Sequence, residues 1–423
     1  MAKKNSKKTV PELRFRGFTD PWEQRQLGEA FNMLRNNTVS RADLGNDRNR
    51  ILDIHYGDVL IRYGAVVDVS TLEGPSISIT DNRFLGDRLT DGDIIMADTA
   101  EDTNAGKCVE IEGLMQRNVV AGLHTIPLRP VTLSGRGYWG QYLNSASFRD
   151  QLFPKMQGTK VVSLSRTTVV NATVRYPSLP EQHCIGEFFT TLDSLIAAAE
   201  RQEDLLKQKK QAYLQLMFPQ EGETEPRLRF AGFSGEWQQK MVGDLVGKTF
   251  GGGTPSTSNS EYWIGRLPWI QSSNLADGQI FRVDVEKHIS DIALQHSSAQ
   301  LIPAGSIAVV THVGVGKLAL VPFEYSTSQD FISLGDLKCD SRFLSLALQE
   351  RLRKDLRVVQ GSTIKGITKQ DLLHKKLTLP KQRDEQARIA TFLMLFGKTI
   401  AQINERKALL QRMKEAYLQR LFL

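Results

Sequence analysis

The chain has 423 residues, 40% hydrophobic and 24% charged, the balance of a folded globular protein too long for a single core, so two to four domains are expected. It holds no apolar run of about eighteen residues, so no membrane span is expected, and its start, MAKKNSKKTV, lacks the apolar stretch of a secretory signal. The net charge is +7 with a pI near 9.2, but Lys3, Lys4, Lys7 and Lys8 carry four of those charges, and the +3 that remains hints at a polyanionic partner without demanding one.

Residues 1–10 read as a basic tail. After it comes PELRFRGFTDPWEQ (11–24), which returns as PRLRFAGFSGEWQQ (226–239), and the match runs without a gap to Gly28 and Gly243. A phrase repeated at an offset of 215 marks a duplication, which should be settled before any other reading. The bodies that follow, 11–178 and 226–378, carry turn-then-strand signals: GDVLIRYGAVVDV (57–69) and DGDIIMA (91–97) in the first, PAGSIAVV (303–310) and LALVPF (318–323) in the second. Helical signal is weak until NSASFRDQLF (144–153) and SRFLSLALQERLRKDL (341–356). Each is followed by a related closing phrase, QGTKVVSLSRTTVVNATVRYP (157–177) and QGSTIKGITKQDLLHKKLTLP (360–380).

A second repeat begins at Glu181 and Glu385, at an offset of 204, and runs to Phe218 and Phe422. Alternating steps of four and three select Ile185, Phe189, Leu192, Ile196, Ala199, Glu203, Leu206, Lys210, Tyr213 and Met217. In the second copy they select Ile389, Leu393, Phe396, Ile400, Ile403, Lys407, Leu410, Lys414, Tyr417 and Leu421. Such a pattern predicts a coiled-coil seam over 179–218 and 379–423, broken by polar residues at the same two places in each copy. Two unrelated amphipathic helices would not share those breaks. Pro219 and the acidic stretch through 225 read as a linker. The expected fold class is α+β: two similar β-rich domains, each followed by a long coiled-coil helix, in an internal repeat. Domains with like ends and divergent middles suggest one job applied to two targets.

These features resemble the specificity subunits of type I restriction-modification systems over the whole chain. The resemblance rests on LRFAGFSGEWQQKMVGDL and GGGTPSTSNSEYWIGRLPWIQSSNL (251–275), on the closing QGTK and QGST turns, and on the helices that begin near EQ and end YLQ-x-(L/M)-F. It implies two target-recognition domains held apart by the two conserved helices, which pair as an antiparallel coiled coil with pseudo-twofold symmetry, and a subunit that does no chemistry itself. Its implied partners are double-stranded DNA, two methyltransferase subunits and, through the complex, motor-nuclease subunits, all in the cytoplasm and with no membrane. No cofactor and no metal are implied. The first domain has RNNTVSRADLG (35–45) where the second has the GGTPS phrase.

Base reading in the major groove needs guanidinium and amide forks, and phosphate anchoring needs Lys, Arg, Ser, Thr and open backbone N–H groups. The candidates in the second domain are Thr254, Ser256, Thr257, Ser258, Asn259, Gln271, Ser272, Ser273, Asn274, His312, Lys317, Gln360, Ser362, Thr363 and Lys365. In the first they are Arg35, Asn36, Asn37, Thr38, Ser40, Arg41, Gln157, Thr159 and Lys160. The competing reading of each is a solvated turn residue or a cap. Trp263 and Trp269 read as loop anchors rather than base-stacking platforms. Phe188 and Phe392, Leu205 and Leu409, and Leu214 and Leu418 are apolar in both helices yet lie off the seam. They are candidate docking positions for methyltransferase subunits, against packing on the neighbouring domain.

Catalytic motifs are missing from the sequence. GVGKLA (314–319) lacks the first glycine and the hydroxyl residue of a phosphate loop, since Thr311 and Leu318 stand there. No tetrad for holding a flipped adenine occurs, and no His pair brackets a Glu for zinc. Cys108, Cys184 and Cys339 are scattered, as in a reducing intracellular compartment, and His183 beside Cys184 reads as structural. A self-sufficient nuclease or methyltransferase would need a motif that is not present. A coiled-coil scaffold without DNA readout would explain the helices but not two similar domains with divergent middles.

Overall fold

The structure, a computed structural model, describes residues 10–45, 51–77, 86–220, 222–358 and 366–422. They fall into two units: Met1–Arg201 with Asn404–Leu423 form unit 1, and Gln202–Ile403 form unit 2. Each unit thus combines one divergent region with part of each long helix.

The repeated phrase builds the same device in both. Glu23–Gln26 pairs antiparallel with Thr173–Tyr176 in unit 1, and Gln238–Met241 pairs with Lys376–Leu379 in unit 2. The phrase's arginine then clamps the first turn of a long helix. Arg14 Nε and Nη2 each donate to Glu181 at 2.7 Å, and Arg229 Nε and Nη2 donate to Glu385 at 2.7 and 2.8 Å. Glu181 and Glu385 are 0% and 1% exposed. A carboxylate so deep keeps its charge only with a partner, and the positive end of the helix dipole assists. The neighbouring glutamines act alike. Gln182 donates to Pro177 O at 2.9 Å and accepts from Gly135 N at 3.1 Å; Gln386 donates to Pro380 O at 2.8 Å and accepts from Asp340 N at 2.9 Å. These bonds are the physical content of the repeated EQ.

The long helices span Leu179–Met217 and Arg383–Leu421, 39 residues each. The first stops before Phe218–Pro219, because proline removes a donor and clashes with the preceding turn. In unit 1 the Phe188 ring meets Tyr417 at 4.9 Å and Lys414 Nζ meets Asp193 Oδ1 at 2.6 Å. In unit 2 Tyr213 meets Phe392 at 5.0 Å and Phe396 at 5.5 Å. In unit 1, rising numbers on one helix oppose falling numbers on the other, so the segments there run antiparallel. The seam positions are buried or half-buried in both helices. The polar breaks find different partners. Glu203 is buried and pairs with Lys207 at 2.5 Å. Lys414 has Asp193, but the residue equivalent to Asp193 in the second copy is Gly397, and Lys210 lies instead near Arg353 and Glu350, its pKa lowered by burial first and by Arg353 next.

The helix ends also close the cores. Phe422, at the end of the second helix, packs on Trp22, Tyr138, Tyr142 and Phe189 in unit 1, while Phe218, at the end of the first, packs on Trp237 and Phe343 in unit 2. Each core is therefore completed by a segment from the other half of the sequence.

The sheets carry the loops that matter. Unit 1 has a five-stranded sheet ordered Phe31–Met33, Thr125–Pro130, Ile94–Ala97, Cys108–Glu112, Val66–Asp68, antiparallel except for its last pair. A three-stranded sheet sets Ile51–Ile54 between Ser76–Ile77 and Val119–Ala121. Unit 2 has an antiparallel four-stranded sheet ordered Val246–Gly251, Phe331–Leu337, Ser306–Val310, Leu318–Val321. A three-stranded sheet sets Leu267–Ile270 between Lys287–Ile289 and Ser326–Thr327.

One expectation fails locally. In GDVLIRYGAVVDV only Val66–Asp68 is a strand, and Tyr56–Ile61 is a helix whose N-cap, His55, accepts from Gly57 N. A short apolar run has no period of its own to separate strand from buried helix, and the cap decides it here. The helix Tyr138–Asn144 also precedes the segment whose helical signal was read from residue 144 onward. Among the described residues no helix is long and apolar enough to cross a membrane.

Candidate nucleic-acid interface

In unit 2 the sequence candidates converge at the loop ends of the two sheets. Gly252 and Gly253 allow the chain to leave its strand against other backbone: a Cβ on them would lie 1.7 Å from Ser328 O and 2.2 Å from Ser298 O. The loop they open is pinned by both tryptophans. Trp269 Nε1 donates to Gly253 O and Trp263 Nε1 to Ser256 O, each at 3.1 Å, with the rings 5.0 Å apart and Lys287 Nζ 5.7 and 5.8 Å from their centroids. Thr254 donates to Gln329 at 2.5 Å, Ser256 and Ser258 share a hydroxyl bond at 2.8 Å, and Asn259 caps Ser260–Trp263 by accepting from Glu261 N at 3.1 Å. Ser256, Thr257 and Ser258 remain exposed.

Gln271–Asn274 follows the central strand of the small sheet. Asn274 is buried and accepts from Gln271 N at 2.8 Å, and the Gln271 amide donates to Ser273 at 3.1 Å. The turn after Thr311 lies beside it, since a Cβ on Gly314 would be 3.8 Å from both Ser272 Cβ and the Lys317 side chain. His312 is exposed, its Nδ1 3.1 Å from Thr311 Oγ1, and Thr311 O accepts from Ile367 N at 2.8 Å. The Ser328–Asp330 corner joins them: Ser328 N donates to Ile270 O and Thr311 N to Asp330 O. Gln329 and Asp330 carried no sequence signal. Gln360, Ser362, Thr363 and Lys365 lie outside the described residues.

In unit 1 the candidates divide between inward and outward. Asn37 is 0% exposed: its amide donates to Asp53 and, at 3.1 Å, to Ala121 O, while its Oδ1 accepts from Val39 N at 2.9 Å. Asn36 donates to Asn37 O and Gly122 O, and accepts from Arg166 Nη2 at 2.6 Å. Both amides are committed to holding the loop. Arg35 and Arg41 face out, 71% and 54% exposed, on Asp87 and Asp58 at 2.8 and 2.7 Å. Each carboxylate raises its arginine's pKa, chiefly through the hydrogen bond. Thr38 is exposed and Ser40 donates to Asp43 at 2.8 Å. Gln157, Thr159 and Lys160 are exposed on a tight turn closed by Gln157 and Ser163. Beneath the loop, burial pushes the Asp53 carboxyl up to about 7, against the lowering effect of the Asn37 bond. His55 is lowered by burial first and then by Arg41. His55, Tyr56, Asp58, His124 and Arg166 belong to this constellation, although the sequence gave no reason to single them out. Among the described residues no group of three or more His, Cys, Asp or Glu could hold a metal ion.

On the helices, Leu205 and Leu409 are 50% and 51% exposed. The other docking candidates pack inside their units. Phe188 meets Phe15 at 5.9 Å and Phe392 meets the equivalent Phe230 at 5.8 Å, Leu214 is buried, and Leu418 lies half-buried on the unit 1 core.

A family model for the type I restriction modification DNA specificity domain matches residues 234–412. The type I restriction enzyme MjaIX specificity subunit of Methanocaldococcus jannaschii is 26% identical over 181 residues, 42% of this chain and 41% of that protein. The EcoR124I/EcoR124II specificity subunit of Escherichia coli is 30% identical over 179 residues, 40% of this chain and 43% of its own length. The chain thus spans about two fifths of the length of these relatives. The crystal structure of the type I restriction-modification S subunit from M. genitalium shares the fold over 98% of this chain and 99% of its own, with a TM-score of 0.64 at 11% identity. The second half of the chain therefore carries a type I restriction modification DNA specificity domain, and the fold along 98% of its length is that of an S subunit.

Proposed function

We propose that the chain is the DNA-recognition subunit of a type I restriction-modification complex. Each unit reads one half of a split duplex site, while methylation and ATP-driven cleavage belong to partner subunits. The observation that carries this reading is the loop cluster of unit 2. Glycine-spaced, short polar side chains at 254–259, 271–274 and 311–317 are gathered at one end of two sheets and anchored from below by Trp263 and Trp269. Exposed hydroxyls and backbone on rigid supports suit phosphate and base-edge contact, which needs polar groups held in place rather than a catalytic pocket. Unit 1 offers a second such edge with different side chains, as two different half-sites would require. Leu205 and Leu409, equivalent in the repeat and both half-exposed, are the supported docking points for two methyltransferase subunits, through which motor-nuclease subunits would join. Work on host DNA puts the complex in the cytoplasm.

The test is binding of a randomised duplex library by the chain alone and with methyltransferase subunits. A body charge of only +3 predicts weak, steeply salt-dependent binding alone and selection of one bipartite sequence in the complex. Selection of no sequence by the complex would refute the reading and leave a protein-binding scaffold.

A further inference from the structure

In unit 1 the ring of Tyr56, at the start of a short helix, meets that of His124, in the turn between two strands, and Arg41 of the 35–43 loop reaches the same helix through Asp58. His124 sits at φ +57° although it is not glycine. Left-handed backbone is uncommon for a residue with a side chain, and such outliers concentrate where the side chain is needed. The same turn does contain a glycine, but at Gly122, where a Cβ would lie 2.5 Å from Asp53 Oδ1. Space fixes the glycine; it does not require the histidine. The His124 ring is half-exposed, Nδ1 is 3.5 Å from Asp98, and the Tyr56 ring stands between His55 at 4.5 Å and His124 at 5.4 Å. Arg41 Nη1 donates to Asp58 Oδ2 at 2.7 Å, with the carboxylate only 8% exposed and the guanidinium 54% exposed. A buried acid therefore aims a fork that still presents donors outward. Below, Asn37 ties the Arg41 loop to Asp53 and Ala121, which fixes the loop against the strand that leads into the His124 turn.

We propose that Arg41, Tyr56 and His124 are the base-reading edge of the unit 1 domain and that the base they read is a guanine in the major groove. This rests on the DNA-recognition reading above. Asn37 and Asp58 are positioning residues. The chemistry selects guanine because its groove edge offers two acceptors, which a guanidinium fork and an imidazole N–H can meet. Adenine requires an amide fork, and the loop's two amides, Asn36 and Asn37, are both spent inside the domain. Packing of His124 on Tyr56 as mere surface structure is the competing account. It predicts that glycine, which adopts φ +57° freely, would replace the histidine without consequence.

The experiment uses the chain assembled with its methyltransferase subunits and maps methylated motifs in DNA exposed to His124→Gly, Arg41→Ala and Arg41→Lys, with thermal melts alongside. His124→Gly should melt no lower than wild type, yet lose roughly tenfold or more of the discrimination at one G·C pair in one half of the motif, with the other half unchanged. Arg41→Ala and Arg41→Lys should both relax the same half, since lysine keeps the charge but not the fork. Unchanged motifs in the folded variants would overturn the proposal, and so would equal loss in both halves. Rescue by Arg41→Lys would show that a point charge suffices and overturn the assignment of base reading to the guanidinium fork. A wild-type complex without any defined motif would refute the recognition function itself, a result distinct from all of these.

Discussion

Replacing Arg229 by methionine removes the guanidinium from a carboxylate that is 1% exposed while keeping most of the side chain's apolar length. Glu385 then loses bonds at 2.7 and 2.8 Å, and the turn at Ser234–Gly235 loses the donors that Arg229 supplies to it. Breaking a buried pair by removing one partner costs about 3–5 kcal/mol. Glu385 keeps the helix N-terminus, which returns roughly 0.3–1 kcal/mol, and Arg229 itself is 15% exposed, so a value of about 3 kcal/mol is expected. For a unit of this size each kcal/mol shifts the melting temperature by roughly 2–4 °C, which gives a loss of about 6–12 °C. Calorimetry of the whole chain measures it. Arg229→Met with Glu385→Gln should recover much of the loss, because an amide needs no counter-charge. Arg14→Met should repeat the effect through Glu181 in unit 1. If Arg229→Met melts within about 2 °C of wild type, or the double variant is worse than the single, the clamp is not what holds the helix start.

Asp53 gives a pH signature: its carboxyl is raised to about 7 when folded, from an ordinary value near 3.8. Between those values the folded state keeps a proton that the unfolded chain has released, so stability falls as pH rises toward 7 and levels off above it, at up to about 1.4 kcal/mol per pH unit. Asp53→Asn should match wild type near pH 5 and exceed it by about 2–3 kcal/mol at pH 8 in denaturant titrations; an unchanged slope would acquit Asp53. Exchanging residues 226–378 for another variable domain should alter one half of the methylated motif only, and a change in both halves would mean that the domains read jointly. Leu205→Glu with Leu409→Glu should abolish co-purification with methyltransferase subunits while circular dichroism of the chain stays unchanged; intact assembly would move the docking face elsewhere.

What the sequence determined by itself is whatever repeats or has a period. The phrases at 11–28 and 226–243, the seams and the EQ starts were legible because local spacing dictates them, and the structure assigns each a bond or a ring contact: Arg14 on Glu181, Gln182 on Gly135, Trp22 on Phe422. The choice between strand and helix at Tyr56–Ile61 was not legible, since a short apolar run serves either and the His55 cap settles it. Nor was the direction of the loop side chains. Asn36 and Asn37 look like base readers by type, but their amides answer to Gly122 and Ala121, far along the chain, while Arg41, a candidate of the same loop, and His124, which carried no sequence signal, are left facing out. Residue type tells which hydrogen bonds a side chain can make. Only tertiary contact decides which of them are already made, and so which remain for a partner.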